Sequence, residues 1–150
     1  MAGARDAALR ALIAFRRDGA WPESALKDAL RGMDRREAAL ATRLCNGVLQ
    51  NRMLLDFYIG CWCSQKPNRL EPVILNILRI GGYQILFMDK IPHRAAVNEA
   101  VEMTKHYEEP EVVSFVNGIL GSFVRAEFAD SAPKPEKKEE EAAGPEEPEE

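Results

Sequence analysis

The chain has 150 residues, of which 46% are hydrophobic and only 7% aromatic. This length is typical of one domain, and a composition poor in aromatic residues favours helices over a β-sandwich or β-barrel. The sequence contains no apolar–polar alternation bounded by turns and no run of 18 apolar residues that could cross a membrane. It therefore predicts one helical domain with no membrane span.

Basic residues are concentrated near the N-terminus, although the net charge of the chain is −4. Residues 132–150 contain eight Glu and three Lys, so the rest of the chain carries 17 basic and 16 acidic side chains. A basic N-terminal region is suited to contact with a polyanion. Its basic residues are Arg5, Arg10, Arg16, Arg17, Lys27, Arg31, Arg35, Arg36, Arg43 and Arg52.

The cysteines and histidines form no metal-binding or redox motif. Cys45, Cys61 and Cys63 are odd in number, and the single residue between Cys61 and Cys63 is too short a spacing for zinc ligands. The two histidines cannot complete a zinc site. We therefore expect free thiols in a reducing cytoplasm, with no metal, no cofactor and no catalytic residue.

Seven helical segments are predicted in chain order. Prolines at 22, 72, 92 and 110 mark helix starts, because proline fits the first helical turn. Asp34 followed by Glu37 has the character of a capping box. The helix that begins at Asp34 either continues to Trp62 or kinks near Asn51, and the kink gives seven helices. The predicted helices cover residues 3–17, 23–31, 34–50, 51–62, 71–88, 93–107 and 110–128.

The segment from Leu78 to Leu120 has the highest density of apolar residues and is expected to supply the core. Gly81 and Gly82 lie inside a predicted helix, where each costs about 1 kcal/mol relative to alanine. We expect close approach of a neighbouring helix to offset this cost. Tyr83 is expected to pack in the core.

The composition changes abruptly after residue 129. Residues 130–150 combine several prolines with a run of glutamates and have almost no large apolar side chain, so burial cannot offset their chain entropy. The sequence therefore predicts an all-α domain over 1–129, a compact bundle of about seven helices, followed by a disordered acidic tail over 130–150. The tail is a solvated appendage or a competitor for the basic surface.

Several motifs of the central segment together resemble the NusB family of RNA-binding domains, and the similarity extends over roughly residues 4–125. Any one of these motifs alone would be weak, but their combination is specific. The resemblance implies a NusB-like helical bundle that binds RNA. The motifs are Leu78–Ile80, Tyr83–Phe87, Asp89–Pro92, Val97–Glu102 and Phe115–Leu120.

The family has two branches, a free transcription antitermination factor and the N-terminal domain of an rRNA cytosine-5 methyltransferase. Leu40–Arg52 and Leu54–Ile59 are more similar to the methyltransferase branch. A lone Arg5 stands where the antitermination factor has a run of arginines, and Ser114 stands where it commonly has lysine. The resemblance implies leader RNA or small-subunit rRNA as the ligand, with a small-subunit ribosomal protein or the transcription elongation complex as a further partner.

Arginines are the predicted RNA-binding residues, because guanidinium groups pair with phosphates and stack on unpaired bases. Arg5 matches the opening helix of the family, and Arg10 and Arg17 could extend the same surface. Arg35 and Arg36 begin a helix, where they oppose the helix dipole, and this cost hints at a polyanionic ligand. The predicted RNA-binding residues are thus Arg5, Arg10, Arg17, Arg35 and Arg36.

Polar residues inside the apolar helices are expected to have structural roles. Asn98 and Glu99 would satisfy neighbouring backbone groups, as buried polar side chains normally do. Gly118 would allow close helix contact. Arg79 matches a family arginine and would pair with an internal acid such as Glu99 or Glu102.

Three functions remain open from the sequence. The first is RNA binding in transcription antitermination or rRNA processing, and the second is the RNA-docking domain of a 16S rRNA methyltransferase without its catalytic domain. The third is a protein–protein adaptor that presents Trp21, Phe57 and Trp62 to a partner. A truncated gene product with no independent role is a further possibility. In each case the chain itself is expected to lack enzymatic activity.

Overall fold

The structure is a computed structural model that describes residues 3–18, 22–107 and 109–131. Within these ranges it contains seven α-helices and one short 3-10 helix, and no strand. The predicted all-α bundle is confirmed. The helices are α1 (Ala4–Asp18), α2 (Pro22–Ala29), α3 (Arg35–Gln50), α4 (Arg52–Trp62), α5 (Pro72–Phe87), α6 (His93–Tyr107) and α7 (Pro110–Ser131), with the 3-10 helix at Pro67–Arg69 between α4 and α5.

Helix α5 is the centre of the bundle. Every residue from Ile74 to Ile85 is buried, and the helix contacts α1, α3, α4, α6 and α7. Such a helix is apolar around most of its circumference because other helices cover all of its faces. The predicted core is therefore confirmed at α5, but α1 and α3 also contribute fully buried side chains such as Leu9 and Leu44.

The two glycines of α5 lie where α7 crosses closest. A Cβ atom at Gly81 would lie 2.9 Å from a methyl carbon of Leu120, and one at Gly82 would lie 2.7 Å from the ring of Phe123. Both distances are shorter than carbon atoms tolerate. The predicted close approach of a neighbouring helix is confirmed, and it explains why glycine is needed at both positions.

A capping contact joins the starts of α1 and α3. The Asp34 side chain accepts a hydrogen bond of 2.9 Å from the Glu37 backbone N–H, as the predicted capping box requires. The Glu37 carboxylate does not complete the box, because Oε1 accepts a 2.9 Å hydrogen bond from the Ala4 backbone N–H. Glu37 therefore caps α1 and holds its first turn beside α3.

The helix is interrupted at Asn51, between α3 and α4, so the kinked alternative is the one that the structure shows. The Asn51 backbone N–H and its side-chain Nδ2 both donate to the Gly47 carbonyl, at 3.0 and 2.8 Å. They are the last bonds of α3, because the backbone of Asn51 itself leaves the helical conformation. Helix α4 then packs against α5 and α7 and leaves Met53 and Phe57 exposed on its outer face.

Two expectations for α6 and α7 are wrong. Asn98 and Glu99 are exposed, because Ala96, Ala100 and Met103 occupy the inner face of α6. Gly118 faces open space on α7, where a Cβ atom would have no neighbouring atom within 4 Å.

Some predictions concern residues outside the described ranges. Trp21 and the acidic segment 132–150 both lie there. Helix α7 itself extends to Ser131, three residues beyond its predicted end.

Candidate nucleic-acid interface

Arg5 lies in the first turn of α1 and is anchored to α5. Its Nε donates a 2.8 Å hydrogen bond to Oε1 of Gln84. Gln84 is buried, and its own amide donates to the Ile80 carbonyl at 3.0 Å, which fixes the orientation of the acceptor. The two terminal nitrogens of Arg5 have no partner among the described residues. A guanidinium that is held at Nε, with both terminal nitrogens available as donors, is oriented to bind an anion.

A cavity of about 620 Å³ opens beside Arg5, between the starts of α1 and α3 and the second half of α6. Its walls carry charges of both signs. Acidic side chains outnumber arginine and lysine there, so the cavity does not attract phosphate strongly as a whole. The charged lining residues are Arg5, Lys105, Asp6, Glu37, Glu99 and Glu102, and His106 also lines the cavity.

Arg10 does not lie on the same side of α1 as Arg5. Five residues of α-helix rotate a side chain by about 140°, so Arg10 lies on a different side of α1. There it is exposed and forms an ion pair with Asp6. The side chain of Arg17 lies outside the described part of the structure, so this prediction stays untested.

Arg35 and Arg36 are brought close to the Arg5 end of the bundle. Both are exposed in the first turn of α3. The bond between Glu37 and the Ala4 backbone holds this turn beside the start of α1. Of the five predicted arginines, three therefore share one end of the bundle.

A second recess of about 210 Å³ lies at the opposite end of the contact between α1 and α5. Sequence reasoning did not select its arginines as ligand-binding residues. One signal was available, because Arg16 follows Arg5 by eleven residues, or about three helical turns, and so shares its side of α1. The recess is lined by Leu12, Phe15, Arg16, Leu49, Arg52, Asn76 and Arg79.

Arg79 is buried in this recess and pairs with an acid of α4. Its Nε and Nη2 donate to the two carboxylate oxygens of Asp56, both at 2.8 Å, and Nη1 donates to Asn76 Oδ1 at 3.2 Å. An internal acid was expected, but its predicted identity was wrong. Glu99 and Glu102 are exposed on α6, whereas α4 packs directly against the face of α5 that carries Arg79.

The thiols offer no activated nucleophile. Burial raises the pKa of Cys45 to about 11, and burial also raises the pKa of Cys63. Cys61 is exposed, and all three are free thiols. The described residues contain no group of His, Cys, Asp and Glu that could hold a metal ion. None of the helices in this part of the chain is long and apolar enough to cross a membrane.

The outer face of α4 is the main exposed apolar surface of the described residues. Met53 is 87% exposed and Phe57 is 64% exposed, with Leu54 beside them. Trp62 points the other way and packs edge-on against Phe123, with 5.0 Å between ring centroids. Of the three aromatic residues expected to meet a partner, only Phe57 is presented in the described structure.

Comparison with known proteins gives two kinds of relative. A probable ribosomal RNA small subunit methyltransferase B from Bacillus subtilis is 37% identical over 123 residues, which cover 81% of this chain but only 27% of that protein. The transcription antitermination protein NusB of Lacticaseibacillus casei is 33% identical, and the match covers 81% of this chain and 92% of that protein. The chain therefore spans about a quarter of the methyltransferase and nearly all of the antitermination protein.

Solved structures share the same fold. NusB of T. maritima superimposes with a TM-score of 0.76 at 29% identity, covering 84% of this chain and 94% of that one. The antitermination factor NusB in complex with NusE and dsRNA has a TM-score of 0.76 at 23% identity, with 83% and 96% covered, and this likeness concerns the fold alone. The sequence model of the NusB family matches residues 2–125. The chain belongs to the NusB family.

Proposed function

We propose that this chain binds RNA, in transcription antitermination or in rRNA processing, and that it has no enzymatic activity of its own. Relatives of both kinds support the proposal, and one structural neighbour was solved with dsRNA and NusE. The observation that carries it is Arg5, whose guanidinium is oriented by the buried Gln84 and open to an anion. Three free thiols fit a reducing cytoplasm as the site of action.

The proposed surface begins at the end of the bundle where Arg5, Arg35 and Arg36 meet. Arginines at this end would contact phosphates and stack on unpaired bases, which are the contacts that single-stranded and loop RNA offer. Arg10 would bind RNA only if the RNA wrapped around α1, because Arg10 lies on another side of that helix. Arg17 stays in the proposed set on its sequence position alone. Any chemistry on the RNA would be supplied by another domain or protein.

The two branches of the family imply different ligands. An antitermination factor would prefer a single-stranded leader RNA and would act with a small-subunit ribosomal protein or the transcription elongation complex. The docking domain of a 16S rRNA methyltransferase would prefer an rRNA hairpin. The lone Arg5 and the methyltransferase-like α3–α4 region favour the second ligand.

The test is a titration of the purified chain against a labelled leader-type oligomer and a labelled rRNA hairpin, each at about 50 and about 200 mM salt. Binding through phosphates predicts that the logarithm of the affinity falls with the logarithm of the salt concentration, by about 0.7 per phosphate neutralised on a single strand. Arg5→Ala should weaken binding, and Arg10→Ala should weaken it only if the RNA reaches the second side of α1. Arg69→Ala is the control, because Arg69 is exposed in the 3-10 helix beside α4.

The preferred RNA would identify the branch. Stronger binding of the oligomer would support an antitermination factor, and stronger binding of the hairpin would support a methyltransferase docking domain. Absence of salt-dependent binding to either RNA would overturn the proposal.

A protein–protein adaptor is the second candidate, and the exposed face of α4 favours it. Met53 and Phe57 give this face an apolar surface that a partner could cover. The first partner to test is NusE, the antitermination factor that accompanies NusB in the solved neighbour. Binding that survives high salt and is lost in Phe57→Ser, with RNA affinity unchanged, would support the adaptor.

A further inference from the structure

We propose that the recess formed by Arg16, Arg52 and Arg79 is a binding site for one backbone phosphate of the RNA. This inference rests on the proposed RNA-binding function and adds a phosphate site at the end of α1 opposite to Arg5. Its three arginines are not among the RNA-binding residues predicted from the sequence. Arg79 is held in a fixed position, the charge of the recess is not balanced, and its size and lining fit a nucleotide backbone.

Arg79 provides a guanidinium that is already in place. It is 8% exposed, and its bonds to Asp56 and Asn76 hold the planar group in one orientation. These contacts use three of the five N–H groups of the guanidinium, so two remain for another acceptor. Since Arg79 lines the recess, a ligand would find these donors without a further loss of side-chain entropy.

The charge of the recess is not balanced by the protein. Asp56 compensates Arg79, but neither Arg16 nor Arg52 has an acidic partner among the described residues. Two positive charges therefore face a concave space that is partly screened from solvent, where an anion is held more strongly than on an open surface. The larger cavity beside Arg5 differs, because four acidic side chains line it.

The size and the walls of the recess fit a nucleotide backbone. A volume of about 210 Å³ admits a phosphate group together with several waters, given that one water occupies about 30 Å³. Leu12, Phe15 and Leu49 form an apolar wall against which a ribose or base could pack. The recess therefore offers cationic groups to a phosphate and an apolar wall to the sugar attached to it.

The recess and Arg5 lie on one path along the bundle. Arg5 and Arg16 are on the same side of α1, about 16 Å apart at the helical rise of 1.5 Å per residue. On α5, Gln84 holds Arg5 at one end, and Arg79 lies in the recess at the other. A single strand that follows the contact between α1 and α5 would reach both sites.

The experiment measures RNA binding by the Arg16→Ala/Arg52→Ala variant as salt is raised, with the RNA that the wild-type chain prefers. Both side chains are exposed, so the variant should fold, and its far-UV circular dichroism is compared with that of the wild type. The matched control is Arg31→Ala/Arg69→Ala, which removes two charges elsewhere. The salt slope should decrease by about 0.7 when one phosphate contact is lost, and the control should keep the wild-type slope.

A second readout tests the recess directly. The Nε–Hε signal of Arg79 in a ¹⁵N spectrum should shift when inorganic phosphate is added at constant ionic strength, and the shift should be lost in Arg16→Ala/Arg52→Ala. An unchanged Arg79 signal would overturn the phosphate site.

The outcomes separate this inference from the proposed function. If Arg5→Ala weakens RNA binding but Arg16→Ala/Arg52→Ala leaves both affinity and salt slope unchanged, the phosphate site is wrong and RNA binding stands. If the wild-type chain shows no salt-dependent RNA binding, both proposals are wrong.

Discussion

Gly82 and Gly118 are both helical glycines, yet their surroundings predict opposite effects of alanine. At Gly82 a Cβ atom would meet the ring of Phe123, which is fully buried and packs against Trp62, so the ring cannot move away. Gly82→Ala should lower the free energy of unfolding by about 1–3 kcal/mol, as overpacking typically does. The methyl group of Gly118→Ala would lie in open space, so this substitution should raise the free energy of unfolding by about 0.5–1 kcal/mol through helix propensity.

Urea unfolding of the two variants beside the wild type measures both effects. The slope of the free energy against urea should stay constant, so that a shift in the midpoint reports stability. Equal effects of the two substitutions would contradict the close packing of α5 against α7.

Cys45 makes stability depend on alkaline pH. Burial raises its pKa from 9.0 to about 11 in the folded chain, so the unfolded state loses this proton first as the pH rises. The stabilisation is fully present below about pH 9 and is lost as the pH approaches 11, by up to about 3 kcal/mol at 1.4 kcal/mol per pKa unit. Urea unfolding at several pH values between 8 and 11 measures the loss.

Other groups also titrate between pH 8 and 11, so a comparison with variants is needed to identify the contribution of Cys45. Cys45→Ala should lose less stability between pH 9 and 11 than the wild type, whatever its stability at pH 8. Cys61→Ala should behave as the wild type does, because Cys61 is exposed. Parallel curves for the wild type and Cys45→Ala would exclude this thiol as the cause.

At the scale of helices, one side chain fastens α1 to α3. The Glu37 carboxylate caps the first turn of α1 through the Ala4 N–H, and its negative charge also favours the positive end of the helix dipole. Glu37→Ala should therefore lower the free energy of unfolding by about 0.5–2 kcal/mol, the range for a lost cap. Glu37→Gln should lower the free energy of unfolding by a smaller amount, since the amide oxygen can still accept the hydrogen bond.

Thermal unfolding followed by circular dichroism measures this cost. Glu99→Ala is the matched control, because it removes the same charge from the same cavity without breaking a described hydrogen bond. A melting temperature that falls equally for Glu37→Ala and Glu99→Ala would show that the cavity charge, rather than the cap, determines stability.

The ion pair between Asp56 and Arg79 fastens α4 to α5 in the same way. Arg79 is the more deeply buried partner, with 10% of its side chain exposed against 29% for Asp56. Asp56→Ala should lower the free energy of unfolding by about 3 kcal/mol, since it leaves a buried cation without its counter-ion. Asp56→Ala/Arg79→Met should recover part of this loss, because it removes the unpaired charge and keeps much of the volume.

A double-mutant cycle of Asp56→Ala and Arg79→Met, measured by urea unfolding, gives the coupling energy. A coupling energy near zero would mean that the two side chains contribute independently and that the pair does not hold the helices together.

Most elements were predictable because their signals are local. Prolines at the helix starts, the Asp34 cap and the break at Asn51 each act through neighbouring residues, and all recur in the structure. The error at Asn98 and Glu99 has a physical origin. The half-buried Val97 and Val101 make α6 look apolar all round, although only one face of it is covered.

At the scale of the whole molecule, the candidate site was predictable only in part. The sequence alone indicates the arginine-rich N-terminal region and Arg5. The spacing that places Arg5 and Arg16 on the same side of α1 is also present in the sequence. The meeting of Arg52 and Arg79 could not, because it depends on how α4 turns after Asn51 and which face of α5 it covers. Contacts between helices distant in sequence leave no local pattern.

The charge distribution of the whole chain leads to the last prediction. Residues 132–150 lower the net charge from about +1 to −4, and we expect their glutamates to repel RNA or to compete with it for the arginines. A chain ending at Ser131 retains all described helices and should bind RNA more tightly at about 50 mM salt. The difference should shrink at about 200 mM, because the Debye length falls below 10 Å.

Fluorescence anisotropy with the preferred RNA at both salt concentrations measures the difference. A full-length variant with the eight glutamates of 132–150 changed to glutamine is the control, since it keeps the length of the chain and removes the charge. If the truncated chain binds more tightly at low salt and the glutamine variant does so equally, charge is the cause. If the glutamine variant binds as the wild type does, the segment acts through its bulk. Equal affinities of all three proteins would mean that the acidic segment has no influence on the arginines of α1 and α3.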